Sequence, residues 1–182
     1  MTLEELISKN QGEHISYAQY LTADEWLAKR NAVIERDNYI CISCKRGSTF
    51  YIKNWASPIK YHLWNVNNST GEHAPWHIKG DNKLIPADKH YHLEVHHRRY
   101  ILNRLPWEYP NDDLITLCNH CHTEFHQNNK VPVYSEDELT KLDYEVCDRC
   151  NGYGYLPEHK HVQNGICFKC QGERYLTPLI ER

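Results

Sequence analysis

Eight cysteines and a cluster of histidines carry the chemistry of this 182-residue chain. The cysteines form four Cys-x-x-Cys pairs, Cys41/Cys44, Cys118/Cys121, Cys147/Cys150 and Cys167/Cys170. Two-residue spacing lets both thiolates of a tight knuckle face one ion, so four knuckles make two tetrahedral zinc sites. Four disulfides are the competing reading. The opening MTLEELISKN argues against it, being acidic where a secretory signal is cationic and then apolar. The expectation is a reduced, cytoplasmic protein with two structural Zn²⁺ ions. Seven of the thirteen histidines fall between positions 90 and 126. His96 and His97 end the alternating apolar run LEVHH, and Arg98 and Arg99 follow directly. Four such neighbours repel as cations, but a site handling a metal ion and a phosphate together gives each of them a use.

The elements that must position these residues are legible from periodicity. Helices are expected near 2–9 and 14–20. A better one follows, capped by Thr22 or Asp24, with Trp26, Leu27, Val33 and Ile34 at helical spacing. Residues 48–95 read as strands and turns, among them STFYIKN, KYHLWNV, PWHIKGDNKLI and YHLEVHH. Trp55, Trp64 and Trp76 fall in this stretch, most of its aromatics serving as core and a few facing nucleic acid. DLITLC returns as a short buried strand. The second knuckle then opens a helix over Asn119–Asn128 that puts His122 and His126 on one face. Residues 129–146 read as a polar, acidic linker with room for a short helix.

Charge is distributed unevenly. Residues 45–104 hold ten Lys or Arg against four acids, a balance of +6, and residues 105–146 hold two bases against nine acids, or -7. A basic stripe suits a phosphate backbone, and a solvated basic face is the plain alternative. Low, interrupted hydrophobicity excludes a membrane span.

The order CISC, LEVHH, NDDLITLCNHCHTEFH resembles the HNH nuclease family, over about residues 22–130. The resemblance implies an α+β fold with a ββα-metal core, a two-stranded ribbon packed on a helix around one metal ion. Taken with the charge pattern and the cysteine spacing, the expected divisions are 1–37 (N-terminal helices), 38–130 (nuclease domain with a basic insertion at about 46–92), 131–146 (acidic linker), 147–176 (zinc ribbon) and 177–182 (tail). By the same resemblance His97 is the general base for attack of water on phosphorus. His96, His122 and His126 are ligands of one catalytic divalent metal, Mg²⁺, Mn²⁺, Ni²⁺ or Zn²⁺, and Glu94 orients a ligand or an arginine. Arg98 or Arg99 clamps a phosphate oxygen. The partner is DNA, cut to 5′-phosphate and 3′-hydroxyl ends, and cutting both strands calls for a homodimer or larger assembly. Many members carry the staple that Cys41, Cys44, Cys118 and Cys121 would form. The family's middle asparagine is replaced by Asp113, with Asn111 as the alternative. An ionised aspartate only accepts hydrogen bonds, so half of the asparagine's bonding is lost.

HTEFH fails as a peptidase motif, because Thr123 stands where HExxH requires glutamate. At the C-terminal end, CDRCNGYGYL and CFKCQGERYL resemble the Cys-x-x-Cys-x-Gly-x-Gly repeats of the DnaJ-type zinc module. The second departs by placing Glu173-Arg174 where glycine would recur. Two rival functions remain: a zinc protein that binds nucleic acid without cutting it, and a chaperone-like scaffold resting on the C-terminal repeats.

Overall fold

A computed structural model of the chain describes residues 1–53, 60–75 and 80–181. Trp55 and Trp76 lie outside them. Helices and short sheets are mixed in an α+β arrangement, and the chain divides into two compact units.

The first unit comprises Met1–Asn31, His97–Leu114 and Thr123–Arg182. Helix α1 (Leu3–Asn10) starts at Thr2 and α2 (Tyr17–Tyr20) at Ser16. Each start is a capping box in which the hydroxyl takes the third backbone N–H and a Glu5 or Gln19 side chain returns the bond. Helix α3 (Asp24–Arg36) begins in this unit. The core is tyrosine-rich: Tyr17, Tyr20, Tyr100 and Tyr175 pack with Leu6, Leu105, Val131, Val133, Leu179 and Ile180. Residues 129–146 contain a strand pair where a short helix was allowed for. Val131 and Val133 alternate into the core, and Asp137 closes the turn by accepting from Leu139 N at 2.9 Å.

The C-terminal knuckles fold as two copies of one turn. Asn151, Gly152 and Gly154 have φ of 50°, 80° and 75°; Gln171, Gly172 and Arg174 have 51°, 87° and 73°. Arg174 therefore occupies the left-handed slot that glycine fills in the first copy, at a cost of about 1–2 kcal/mol. Its guanidinium is buried 4.4 Å from the centre of the Tyr17 ring, and it donates to the Gly172 carbonyl at 3.3 Å. The preceding Glu173 accepts from Tyr17 N at 3.2 Å and lies 2.8 Å from His14 Nε2. The two residues that break the repeat are thus the ones that bind it to α2.

The second unit comprises Ala32–His96 and Ile115–His122. Strand β2 (Lys60–Asn67) is central, pairing antiparallel with β1 (Phe50–Lys53), β3 (His73–Ala74) and β4 (Asn82–Pro86). Trp64, Val66, Tyr91, Leu93, Val95 and Leu117 are buried, so Trp64 is a core residue. Arg46 lies 5.4 Å from the Trp64 ring and 5.3 Å from that of Tyr91, which ties part of the basic stripe to aromatic faces.

Strand β5 (Leu93–His97) pairs with β7 (Leu114–Cys118). Short strands β6 (Tyr100–Ile101), β8 (Val133–Tyr134) and β9 (Lys141–Leu142) form a third sheet, with β6 parallel to β8 and β9 antiparallel to it. Helix α4 (Asn119–Asn128) follows β7 without a break.

A Cβ at Gly172 would lie 2.4 Å from that of Ala18, in a backbone already at φ +87°. We expect Gly172→Ala to cost about 2–4 kcal/mol from overpacking and strain together. Gly71→Ala, at φ +72° with nothing within 4 Å, should cost only the strain, about 1–2 kcal/mol. Urea midpoints of the two variants test the difference.

Candidate metal centres

Each cysteine set gathers as its spacing predicts. Cys41, Cys44, Cys118 and Cys121 have sulfurs within 4.8 Å of one another, as do Cys147, Cys150, Cys167 and Cys170. All eight are free thiols. The Cys44–Cys118 and Cys150–Cys170 sulfurs are 3.7 Å apart and the Cys147–Cys167 sulfurs 3.9 Å. A tetrahedron with Zn–S of about 2.3 Å has edges of about 3.8 Å, so both clusters are compatible with zinc. Amides face the sulfurs: Cys121 N donates to Cys118 Sγ at 3.4 Å and Gly154 N to Cys150 Sγ at 3.2 Å. Hydrogen bonding from Cys118 pulls the Cys41 thiol down to about 4, while Cys118 itself is pushed up. Such a crowd of sulfurs is stable as thiolates only around a cation.

The ribbon and α4 build the third group. Antiparallel pairing of β5 and β7 is closed at its ends by Arg98 N donating to Asp113 O at 2.8 Å and Asn119 N to His92 O at 3.0 Å. Strand alternation sends Glu94 and His96 to one face and Leu93, Val95 and His97 to the other. On the first face, His96 Nδ1 lies 3.0 Å from His122 Nε2. Glu94 Oε2 is 2.5 Å from His122 Nδ1 and Glu94 Oε1 2.7 Å from His92 Nε2. A carboxylate on Nδ1 holds the proton there and turns the Nε2 lone pair toward His96, the usual support of a metal-bound imidazole. His126 follows one turn along α4, and ring nitrogens of His96, His122 and His126 lie within 4.8 Å of one another. All three rings are buried. A borderline-soft divalent ion suits a set of three imidazole donors.

His97 sits on the core face and is 3 % exposed. Its ring stacks on Trp26 at 5.2 Å and on Tyr100 at 5.3 Å, with Tyr17 and Tyr109 edge-on. Nε2 lies 3.1 Å from the Pro106 carbonyl and 3.4 Å from the Tyr17 hydroxyl. A carbonyl only accepts, so Nε2 carries the proton and the lone pair of the neutral ring is on Nδ1. Burial raises the pKa of Tyr17, Tyr100 and Tyr109, which keeps these phenols neutral around the imidazole.

The remaining predicted residues separate. The Asp113 carboxylate accepts from Arg99 Nε at 2.9 Å, and its own backbone carbonyl holds Arg98 N. The peptide of the middle residue thus pins the turn after His97, while its side chain fixes an arginine. Arg99 also donates to Glu138 at 2.9 Å, as Arg104 does at 2.6 Å. Arg99 is committed to two carboxylates, whereas Arg98 is exposed and has no carboxylate partner among the described residues. Asn111 is exposed in a short 3₁₀ turn. Residue spacing singles out neither His92 nor Tyr153, whose ring stacks on His126 at 5.4 Å and 17°. No spacing rule joins residues 27 positions apart, so only the fold reveals that contact.

No protein-family model, curated protein or solved structure matches this chain. Among the described residues no helix is long and apolar enough to cross a membrane.

Removing the Glu94 carboxylate should loosen the histidine centre without disturbing the cysteines. We expect Glu94→Gln to weaken cobalt(II) binding at the histidines about 10–100-fold. Zinc content should stay at two ions per chain. Unchanged cobalt affinity would exclude the orienting role.

Proposed function

We propose that the chain is a metal-dependent endonuclease of the HNH type that hydrolyses DNA phosphodiesters. One observation carries the reading: three buried imidazoles converge from a two-stranded ribbon and the helix that follows it, with a carboxylate behind one of them. Zinc held by cysteine alone has no need of this second donor set. The order of motifs along the chain supports the same assignment.

His96, His122 and His126 would hold the divalent ion, which supplies Lewis-acid charge to the scissile phosphate. Glu94 keeps His122 in the tautomer that can ligate. His97 takes the proton of the attacking water on Nδ1, the nitrogen left basic by the Pro106 contact. Arg98 is the cation free to meet a non-bridging oxygen, and Arg99 serves instead to brace Asp113 and Glu138. The cysteine centres are structural.

A second reading, DNA binding without cleavage, draws support from the enclosure of His97 among four aromatic rings. Cleavage of supercoiled plasmid with added Mg²⁺, Mn²⁺, Ni²⁺ or Zn²⁺ separates the two. We expect His97→Gln to lower the rate about 10²–10⁴-fold while keeping two zinc ions and cooperative unfolding. Equal rates in variant and wild type would remove His97 as base, and no cleavage in any metal would favour the binding protein. Mild chelation should abolish cleavage and leave the eight thiolates metallated. Unfolding at that step would contradict the separation of structural from catalytic metal.

A further inference from the structure

The first knuckle of the C-terminal ribbon packs directly on a ligand of the histidine centre. Tyr153 stacks on His126, and a Cβ at Gly152 would lie 3.6 Å from His126 Nδ1. Beside this contact is a cleft of about 110 Å³. One wall is α4, through Thr123, His126 and Gln127; the other is the knuckle and the turn after it, including Arg149 and Asn151.

Arg149 is exposed, and its cationic environment differs from that of Arg99 and Arg104. It has no carboxylate hydrogen-bond or salt-bridge partner among the described residues. Its guanidinium lies 5.2 Å from the Phe168 ring, and NH2 is 3.0 Å from His159 Nε2. A planar cation placed against a ring keeps its edge and donors directed outward, which favours forked contact with a phosphate. Glu158 also lines the cleft and limits how far its field is positive.

We infer that Arg149 binds a nucleic-acid phosphate in the cleft beside His126, so that the C-terminal zinc ribbon is one wall of the substrate site. Tyr153 sets the register of that wall, because its ring is seated on the ligand itself. The inference rests on the proposed endonuclease reading for the identity of the substrate, but binding can be measured apart from cleavage. The ribbon is then more than a stability cap. Its zinc shapes the Cys147–Cys150 turn that carries Arg149, and the same turn carries the Tyr153 contact.

The test is fluorescence anisotropy of the full chain with a labelled DNA duplex, without added divalent metal, across a salt series. We expect Arg149→Ala to weaken binding several-fold and to lower the salt slope by about one relative to wild type. Arg149→Lys retains a phosphate-binding charge and should retain the slope. Zinc should stay at two ions per chain in both variants. In cleavage, Arg149→Ala should raise KM and leave kcat within about twofold, the sign of lost binding common to ground and transition states. An unchanged slope in Arg149→Ala, or a lysine variant that behaves like alanine, overturns the assignment. If wild type binds without cutting and Arg149→Ala still loses the contact, the endonuclease reading fails and the phosphate site stands.

Discussion

Four thiolates that must meet around one point constrain the region that holds the histidines. Cys44 and Cys118 are 74 positions apart, and their sulfurs are 3.7 Å apart. Closing so long a loop by hydrophobic contact alone would be costly for a unit of this size, because the entropy of ordering the insertion falls on few buried side chains. A zinc ion, with which the four sulfurs are compatible, would offset that deficit with binding free energy that exists only in the folded chain. Cys118 ends β7 and Cys121 lies in the first turn of α4. A metal held there would fix the strand-to-helix junction from which His122 projects. Ile42 N donates to Thr116 O and Thr116 N to Asp37 at 2.9–3.0 Å, which locks the first knuckle to the same strand.

The histidine centre then follows from two periodicities. Period two on β5 puts Glu94 beside His96, and period 3.6 on α4 puts His122 over His126. Neither element alone offers more than two of the donors. The Glu94 side chain joins them, since it reaches from the strand to His122 while also holding His92. Only an imidazole in its neutral form has a lone pair to give an ion, so binding there would release any proton the rings carry.

Much of this was legible in the sequence because it depends on local spacing. Cys-x-x-Cys and His-x-x-x-His fix side-chain direction within one turn, so each knuckle and the His122/His126 pair followed from positions alone, while the addition of His96 came from the family resemblance. What was not legible depends on long-range packing. The alternation that aims His96 at His122 turns His97 into the tyrosine core, and no count along the chain shows which rings will meet it there. Arg99 looked like a phosphate ligand because it follows two histidines, yet its partner Glu138 is 39 positions away in the acidic segment. That segment read as a linker by charge. Its acids bind Arg99 and Arg104, and its valines complete a core. The departure from asparagine at position 113 could be seen, but not its consequence, which is that backbone and carboxylate divide between Arg98 and Arg99 the work of holding the turn.

The broken C-terminal repeat shows how such a departure can be read physically. A second copy with glycine at position 174 would avoid the left-handed strain of a side chain at φ 73°. Arginine is tolerated because its buried guanidinium lies over the Tyr17 ring, an interaction worth about 2 kcal/mol when desolvated. Glu173 adds a hydrogen bond to the same residue's backbone. Strain and compensation therefore meet at Tyr17, whose hydroxyl is 3.4 Å from His97 Nε2. The first copy keeps glycine at the matching position and directs Tyr153 at His126 instead. Two turns of one pattern thus reach two different histidines, His126 through the Tyr153 ring and His97 through the Tyr17 hydroxyl, and the residues that spoil the symmetry of the repeat are the ones that make the difference.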